Sequence, residues 1–124
     1  MICGVGIDLV NISRMDKWLV NEKLLNRYFH TEEIAAVLSC GKRAAQSLAA
    51  RFAAKEAFGK ALGTGLSGFI LKDVMVHNND DGKPNIHVFE TAKTALEKSG
   101  ANMMHISLTH EGDNAMAMVV LEKV

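Results

Sequence analysis

Glu56 and Lys60 lie four residues apart in Arg51-Phe-Ala-Ala-Lys-Glu-Ala-Phe-Gly-Lys60. On a helix that spacing puts an acid and a base on one face, a turn apart. The stretch runs into Gly63-Thr64-Gly65, where glycines let backbone amides approach an anion closely. A second carboxylate, Asp8, ends the apolar run Gly6-Ile7-Asp8-Leu9-Val10. Magnesium takes one or two protein carboxylates and fills its octahedron with water and substrate phosphates. Asp8 and Glu56 are therefore candidate metal ligands, and Lys60 is a candidate phosphate partner. The competing readings are a surface ion pair between Glu56 and Lys60, worth a few tenths of a kcal/mol, and a turn cap for Asp8. Phe52 and Phe58 flank Glu56 and bury part of its helix, which favours a site.

Lys42, Arg43, Arg51, Lys55 and Lys60 are dense around the same helix. They read as a solvated face or as a clamp for a phosphorylated ligand. Arg14, Lys17, Lys23 and Arg27 face solvent or an acidic partner. The five histidines form no metal-binding spacing; His110 stands apart because it ends a strand after Ser107 and Thr109. Gly4-Val5-Gly6 is an isolated GxG without the dinucleotide fingerprint, and neither a P-loop nor a GxSxG elbow occurs.

These residues need a scaffold. The 124 residues, 48% hydrophobic, suit one domain, 1–124. A formal net charge of zero argues against a sequence-blind nucleic-acid binder. No apolar run is long enough to span a bilayer, and Met1–Val10 reads as a strand and not a signal peptide. Cys3 and Cys40 read as buried thiols of a cytoplasmic protein, with a disulfide as the alternative.

The spacing predicts a strand over Ile2–Val10 and a helix capped by Ser13 and running to about Tyr28. A second helix starts at Thr31 and stops near Ser39, and a long one covers about Arg43–Leu62, ended by Gly63 and Gly65. Phe69–Val76 and Asn85–Phe89 form a hairpin around Asn79-Asp80-Asp81-Gly82. Thr91–Lys98 is a short helix, and Met103–Thr109 with Ala115–Leu121 a terminal hairpin. Helices and antiparallel strands in this order indicate an α+β fold, a long central helix packed on an antiparallel sheet.

Gly6-Ile7-Asp8, Arg51-Phe-Ala-Ala-Lys-Glu-Ala-Phe-Gly-Lys60 with Gly63-Thr64-Gly65, and Ser107-Leu-Thr109-His110 resemble holo-[acyl-carrier-protein] synthase, the short bacterial type of 4′-phosphopantetheinyl transferase. The resemblance covers essentially the whole chain. It implies that a serine hydroxyl of apo acyl carrier protein attacks the β-phosphate of coenzyme A, and adenosine 3′,5′-bisphosphate leaves. It also implies Mg²⁺ held by Asp8 and Glu56, and a homotrimer with sites at subunit interfaces. Neither nucleic acid nor membrane is a partner. Lys60 would meet the leaving phosphate, and Glu56, or a water beside it, the serine proton. Arg51 and Gly63, Thr64 and Gly65 would contact the coenzyme A phosphates; Lys42, Arg43 and His110 would reach the 3′-phosphate. Arg14 would dock the acidic carrier protein. In two places the chain departs from the family pattern. Gly59 stands where a small residue such as serine is expected, and Glu111 puts an acid beside His110. A non-catalytic carrier-protein or nucleotide-binding module on the same fold is the competing expectation.

Overall fold

The computed structural model describes residues 1–124. Strand β1 covers Ile2–Asn11, as its apolar run predicts. The single helix expected over Ser13–Tyr28 is instead three pieces. A 3-10 turn at Ile12–Met15 leads into α1, Asp16–Leu19, and then α2, Glu22–Tyr28. Two asparagines set the breaks. Asn11, not Ser13, caps the first piece by accepting from the Ser13 N–H, and Asn21 accepts from the Leu24 N–H to restart the helix. Such side-chain acceptors satisfy the free N–H groups of a new helix start.

Helix α3 covers Thr31–Leu38, but its cap is His30 and not Thr31. His30 Nδ1 accepts from the Glu32 N–H, while Glu33 Oε1 accepts from the His30 N–H. Helix α4 covers Ala44–Leu62, 19 residues that end at Gly63 with φ 86°, a left-handed geometry that suits glycine. The strand expected from Phe69 begins later. Leu71–Asp73 form a 3-10 turn, and β2 is Val74–Asn78. Phe69 turns inward, edge-on to Phe58 at 5.1 Å between centroids, so its burial belongs to a loop and not to strand alternation. Strand β3, Pro84–Val88, pairs antiparallel with β2. Asn79 Oδ1 holds their turn by accepting from the Asp81 and Lys83 N–H groups. Helix α5, Glu90–Lys98, precedes β4, Met103–Glu111, and β5, Asn114–Glu122.

The main sheet has the order β1-β5-β4, all antiparallel, and α4 lies across one face. The expected α+β architecture is therefore present. Period-two alternation turns Gly4, Gly6, Asp8 and Val10 toward α4, opposite Ala117, Val119 and Leu121 of β5. A Cβ on Gly6 would stand 1.9 Å from the Ala57 carbonyl oxygen, and one on Gly4 1.9 Å from that of Ala61. Helix backbone thus rests directly on strand backbone. On the outer face Val5, Ile7 and Leu9 are exposed, with Met118 beside Ile7. Cys3 is on this outward row and is exposed, and Cys40 is half-buried. Both thiols are free, so neither the buried pair nor the disulfide is found.

Candidate active site

The contact of Gly6 with Ala57 brings the end of β1 against the second half of α4. There Lys60 Nζ donates to Asp8 Oδ1 at 2.8 Å and to the Ile7 carbonyl at 3.0 Å. Lys60 thus pairs with Asp8, and the competing reading, a surface pair with Glu56, is not found. Asp8 is 9% exposed, and its Oδ2 is buried without a partner. Glu56 sits one turn before Lys60 and is half-buried. Burial pushes its carboxyl up, and the charge of Asp8 pushes it further, against the pull of Arg14 and Lys60. The Lys60 amine is raised by its hydrogen bond to Asp8 and by that carboxylate's charge, although its side chain is 53% exposed. Arg14 completes the cluster. Its guanidinium lies over the Trp18 and Phe52 rings at 5.5 and 5.4 Å, which fixes its position beside Glu56.

Two carboxylates therefore face each other, one carrying an orphaned buried oxygen and the other resisting ionisation. Like charges so placed call for a cation. No third His, Cys, Asp or Glu joins them. That sparse oxygen set fits Mg²⁺.

The other basic candidates divide between separate places. Arg51 is 7% exposed; its Nη1 donates to Ser47 Oγ, and its Nε has no partner. Burial lowers its pKa, and Glu33 opposes that. With Arg43, Asn78, Thr109 and His110 it lines a cavity of about 330 Å³. Arg51 and Glu56 are five positions apart, about 140° around the helix. The cavity and the carboxylate pair consequently occupy different flanks of α4. Lys42 is exposed on the turn before α4 and does not line this cavity. Gly63 and Gly65 take φ 86° and 62°, and Thr64 lines a second, larger cavity of about 690 Å³ with Thr91, Thr94 and Lys98 of α5. A Cβ on Gly59 would stand 2.5 Å from the Gly65 carbonyl oxygen, so glycine is required for this turn to fold back on α4.

The structure corrects the expectation that Lys55 belongs to a solvated face or a ligand clamp. Lys55 is fully buried, donating to Glu33 Oε1 at 2.7 Å, to the Leu71 carbonyl at 3.1 Å and to the Val74 carbonyl. The signal was present: Lys55 follows Leu48 and Phe52 on the buried stripe by seven and three positions.

The family model described as the 4′-phosphopantetheinyl transferase superfamily matches residues 4–118. A holo-[acyl-carrier-protein] synthase of Treponema denticola is 55% identical over 122 residues, covering 98% of this chain and 99% of that protein. The crystal structure of holo-[acyl-carrier-protein] synthase from Neisseria meningitidis superposes with a TM-score of 0.88 at 33% identity, covering 99% of this chain and 100% of the other. That of a holo-(acyl-carrier-protein) synthase from Bacillus anthracis, in complex with CoA (3′,5′-ADP), gives 0.83 at 34% identity, covering 100% and 99%. With the fold matched end to end and the motif carboxylates side by side, this chain belongs to the 4′-phosphopantetheinyl transferase superfamily, among its holo-[acyl-carrier-protein] synthases.

Proposed function

We propose that this chain transfers 4′-phosphopantetheine from coenzyme A to a serine of apo acyl carrier protein, releasing adenosine 3′,5′-bisphosphate. The observation that carries the site assignment is the Asp8–Lys60–Glu56 cluster with its orphaned Asp8 Oδ2. The serine oxygen forms a bond to the β-phosphorus, and the bond from that phosphorus to the oxygen bridging it to the α-phosphate breaks. Phosphoryl transfer of this kind needs alignment and charge neutralisation more than covalent help from the protein.

Asp8 Oδ2 and Glu56 would hold Mg²⁺, which neutralises pyrophosphate charge. Lys60 is kept protonated by Asp8 and offers its remaining hydrogen to the leaving phosphate. Glu56, its basicity raised by burial and by Asp8, accepts the serine proton directly or through a water. Arg14, held by Trp18 and Phe52 beside Glu56, meets an acidic side chain near the acceptor serine. Arg51, Arg43 and His110 bind coenzyme A phosphates, and the Gly63–Gly65 turn admits the ligand.

The phosphate cavity and the carboxylate pair occupy different flanks of one helix. A homotrimer resolves this: the pair of one subunit faces the cavity of its neighbour. The uncovered apolar row Val5, Ile7 and Leu9 on β1 supplies a surface for that contact. No helix is long and apolar enough to cross a membrane, and we place the reaction in the cytoplasm with the carrier protein.

Mass spectrometry tests the reading. Apo acyl carrier protein incubated with coenzyme A, Mg²⁺ and this protein gains about 340 Da, the mass of the transferred group. No gain with several carrier proteins would refute the activity, and an undiminished gain in chelator would refute the metal requirement.

A further inference from the structure

The buried pair Lys55–Glu33 takes no part in the reaction above, and it lies one helical turn from Arg51, which lines the phosphate cavity. Lys55 and Arg51 are one turn apart on the same face of α4. Both act electrostatically on Glu33, a carboxylate only 1% exposed. Glu33 already accepts three hydrogen bonds. Its Oε1 accepts from Lys55 Nζ at 2.7 Å and from the His30 N–H at 3.0 Å, and its Oε2 accepts from the Val76 N–H at 3.1 Å. Lys55 is held from the other side by the Leu71 and Val74 carbonyls. Arg51 consequently makes no contact with Glu33. Its only hydrogen bonds go to Ser47, and its Nε is left without a partner although the side chain is almost wholly buried.

A buried guanidinium next to a buried carboxylate ordinarily closes on it, because both charges lose water and gain a charge-assisted hydrogen bond. Here the lysine has taken that place. We infer that Lys55 is a positioning residue for the coenzyme A site: by pairing with Glu33 it keeps Arg51 from being captured inside the protein, so that the guanidinium remains open to a ligand phosphate. Glu33 still favours the charged form of Arg51 through space, against the cost of burial. The arrangement leaves one buried cation with unspent hydrogen-bonding capacity on the cavity wall.

This inference rests on the reading of the Arg51 cavity as a phosphate site, and the experiment separates the two. Calorimetric titration of adenosine 3′,5′-bisphosphate into the full-length protein is compared across four variants. Arg51→Ala is expected to weaken binding about tenfold or more, the scale of a lost hydrogen bond to a charged group. Unchanged binding there would overturn the phosphate reading and this inference with it. Lys55→Met is expected to weaken binding to a similar degree, because Glu33 then draws Arg51 inward. The double change Glu33→Gln with Lys55→Met removes the captor and is expected to return the affinity to within about threefold of the parent. A purely structural role for Lys55 predicts the opposite, a double variant at least as weak as Lys55→Met, and that result would overturn the inference. So would parental affinity in Lys55→Met. If Lys55→Met does not fold, Glu33→Gln alone decides. Affinity equal to or tighter than the parent is expected, and a loss of about tenfold overturns the proposal.

Discussion

Replacing Glu56 with glutamine is expected to stabilise the metal-free protein while abolishing its response to Mg²⁺. Glu56 and Asp8 are two carboxylates on one small patch, and Lys60 satisfies only one oxygen of the pair, Asp8 Oδ1. The raised pKa of Glu56 is the sign of that frustration. A carboxyl whose folded pKa exceeds its unfolded value adds most stability where it is protonated in both states. That contribution is lost as pH climbs from the ordinary glutamate range through the raised value. At neutral pH the ionised Glu56 therefore costs stability. It is only half-buried, so solvent screens the repulsion to about 1 kcal/mol. Glutamine keeps the shape and removes the charge. In chelator at neutral pH, scanning calorimetry should find Tm higher by about 3–4 °C for a chain of this size, and the difference should shrink toward acid pH. With Mg²⁺ at about ten times its Kd, the parent should gain about 1.4 kcal/mol by mass action. The variant should gain almost nothing, and its transfer rate should fall by about a hundredfold or more. The reasoning is refuted if Glu56→Gln loses stability in chelator, or if Mg²⁺ still stabilises it as much as the parent.

Gly6→Ala would press a methyl carbon onto the Ala57 carbonyl at 1.9 Å. Backbone on both sides leaves nothing flexible to yield, so chemical denaturation should show a loss of about 3 kcal/mol; a loss below about 1 kcal/mol would show that α4 does not rest on β1 in solution. The proposed sharing of the site between subunits predicts complementation. Glu56→Gln and Arg51→Ala subunits, each nearly inactive alone, should recover measurable transfer when refolded together, because some interfaces then pair an intact carboxylate cluster with an intact phosphate cavity. Mixtures no more active than their parents would sink the composite site.

The elements legible in the sequence were those with a long, uninterrupted pattern. Alanine-rich α4 and the terminal hairpin lie close to where their composition places them. The misread segments were those where a local contact outweighs periodicity. The stripe Met15, Leu19, Leu24 and Leu25 continues through a break that only the Asn21 cap reveals. Phe69 packs against Phe58 from a loop, and its apolar character imitates a strand. His30 took the cap from Thr31 because its imidazole nitrogen and Glu33 together complete a capping box, which residue preferences alone do not favour.

The site was legible by residue type and illegible by arrangement. Asp8 and Glu56 are 48 positions apart, and what joins them is the fit of Gly4 and Gly6 against Ala57 and Ala61. Those glycines are visible in the sequence, but their spacing alone matches only a fragment of a nucleotide fingerprint. Lys55 shows the same limit from the other side. Charge type assigned it to solvent or ligand, whereas its helical phase put it in the core, where phase prevails once Glu33 supplies the counter-charge. Helical phase also separates Arg51 from Glu56, although both belong to one motif. Residues close in a motif can point to opposite flanks of a helix, and a chain that divides one motif in this way has half of its site on each side. In the proposed trimer a second copy brings the missing half, and the phase of α4 and the uncovered face of β1 support that proposal.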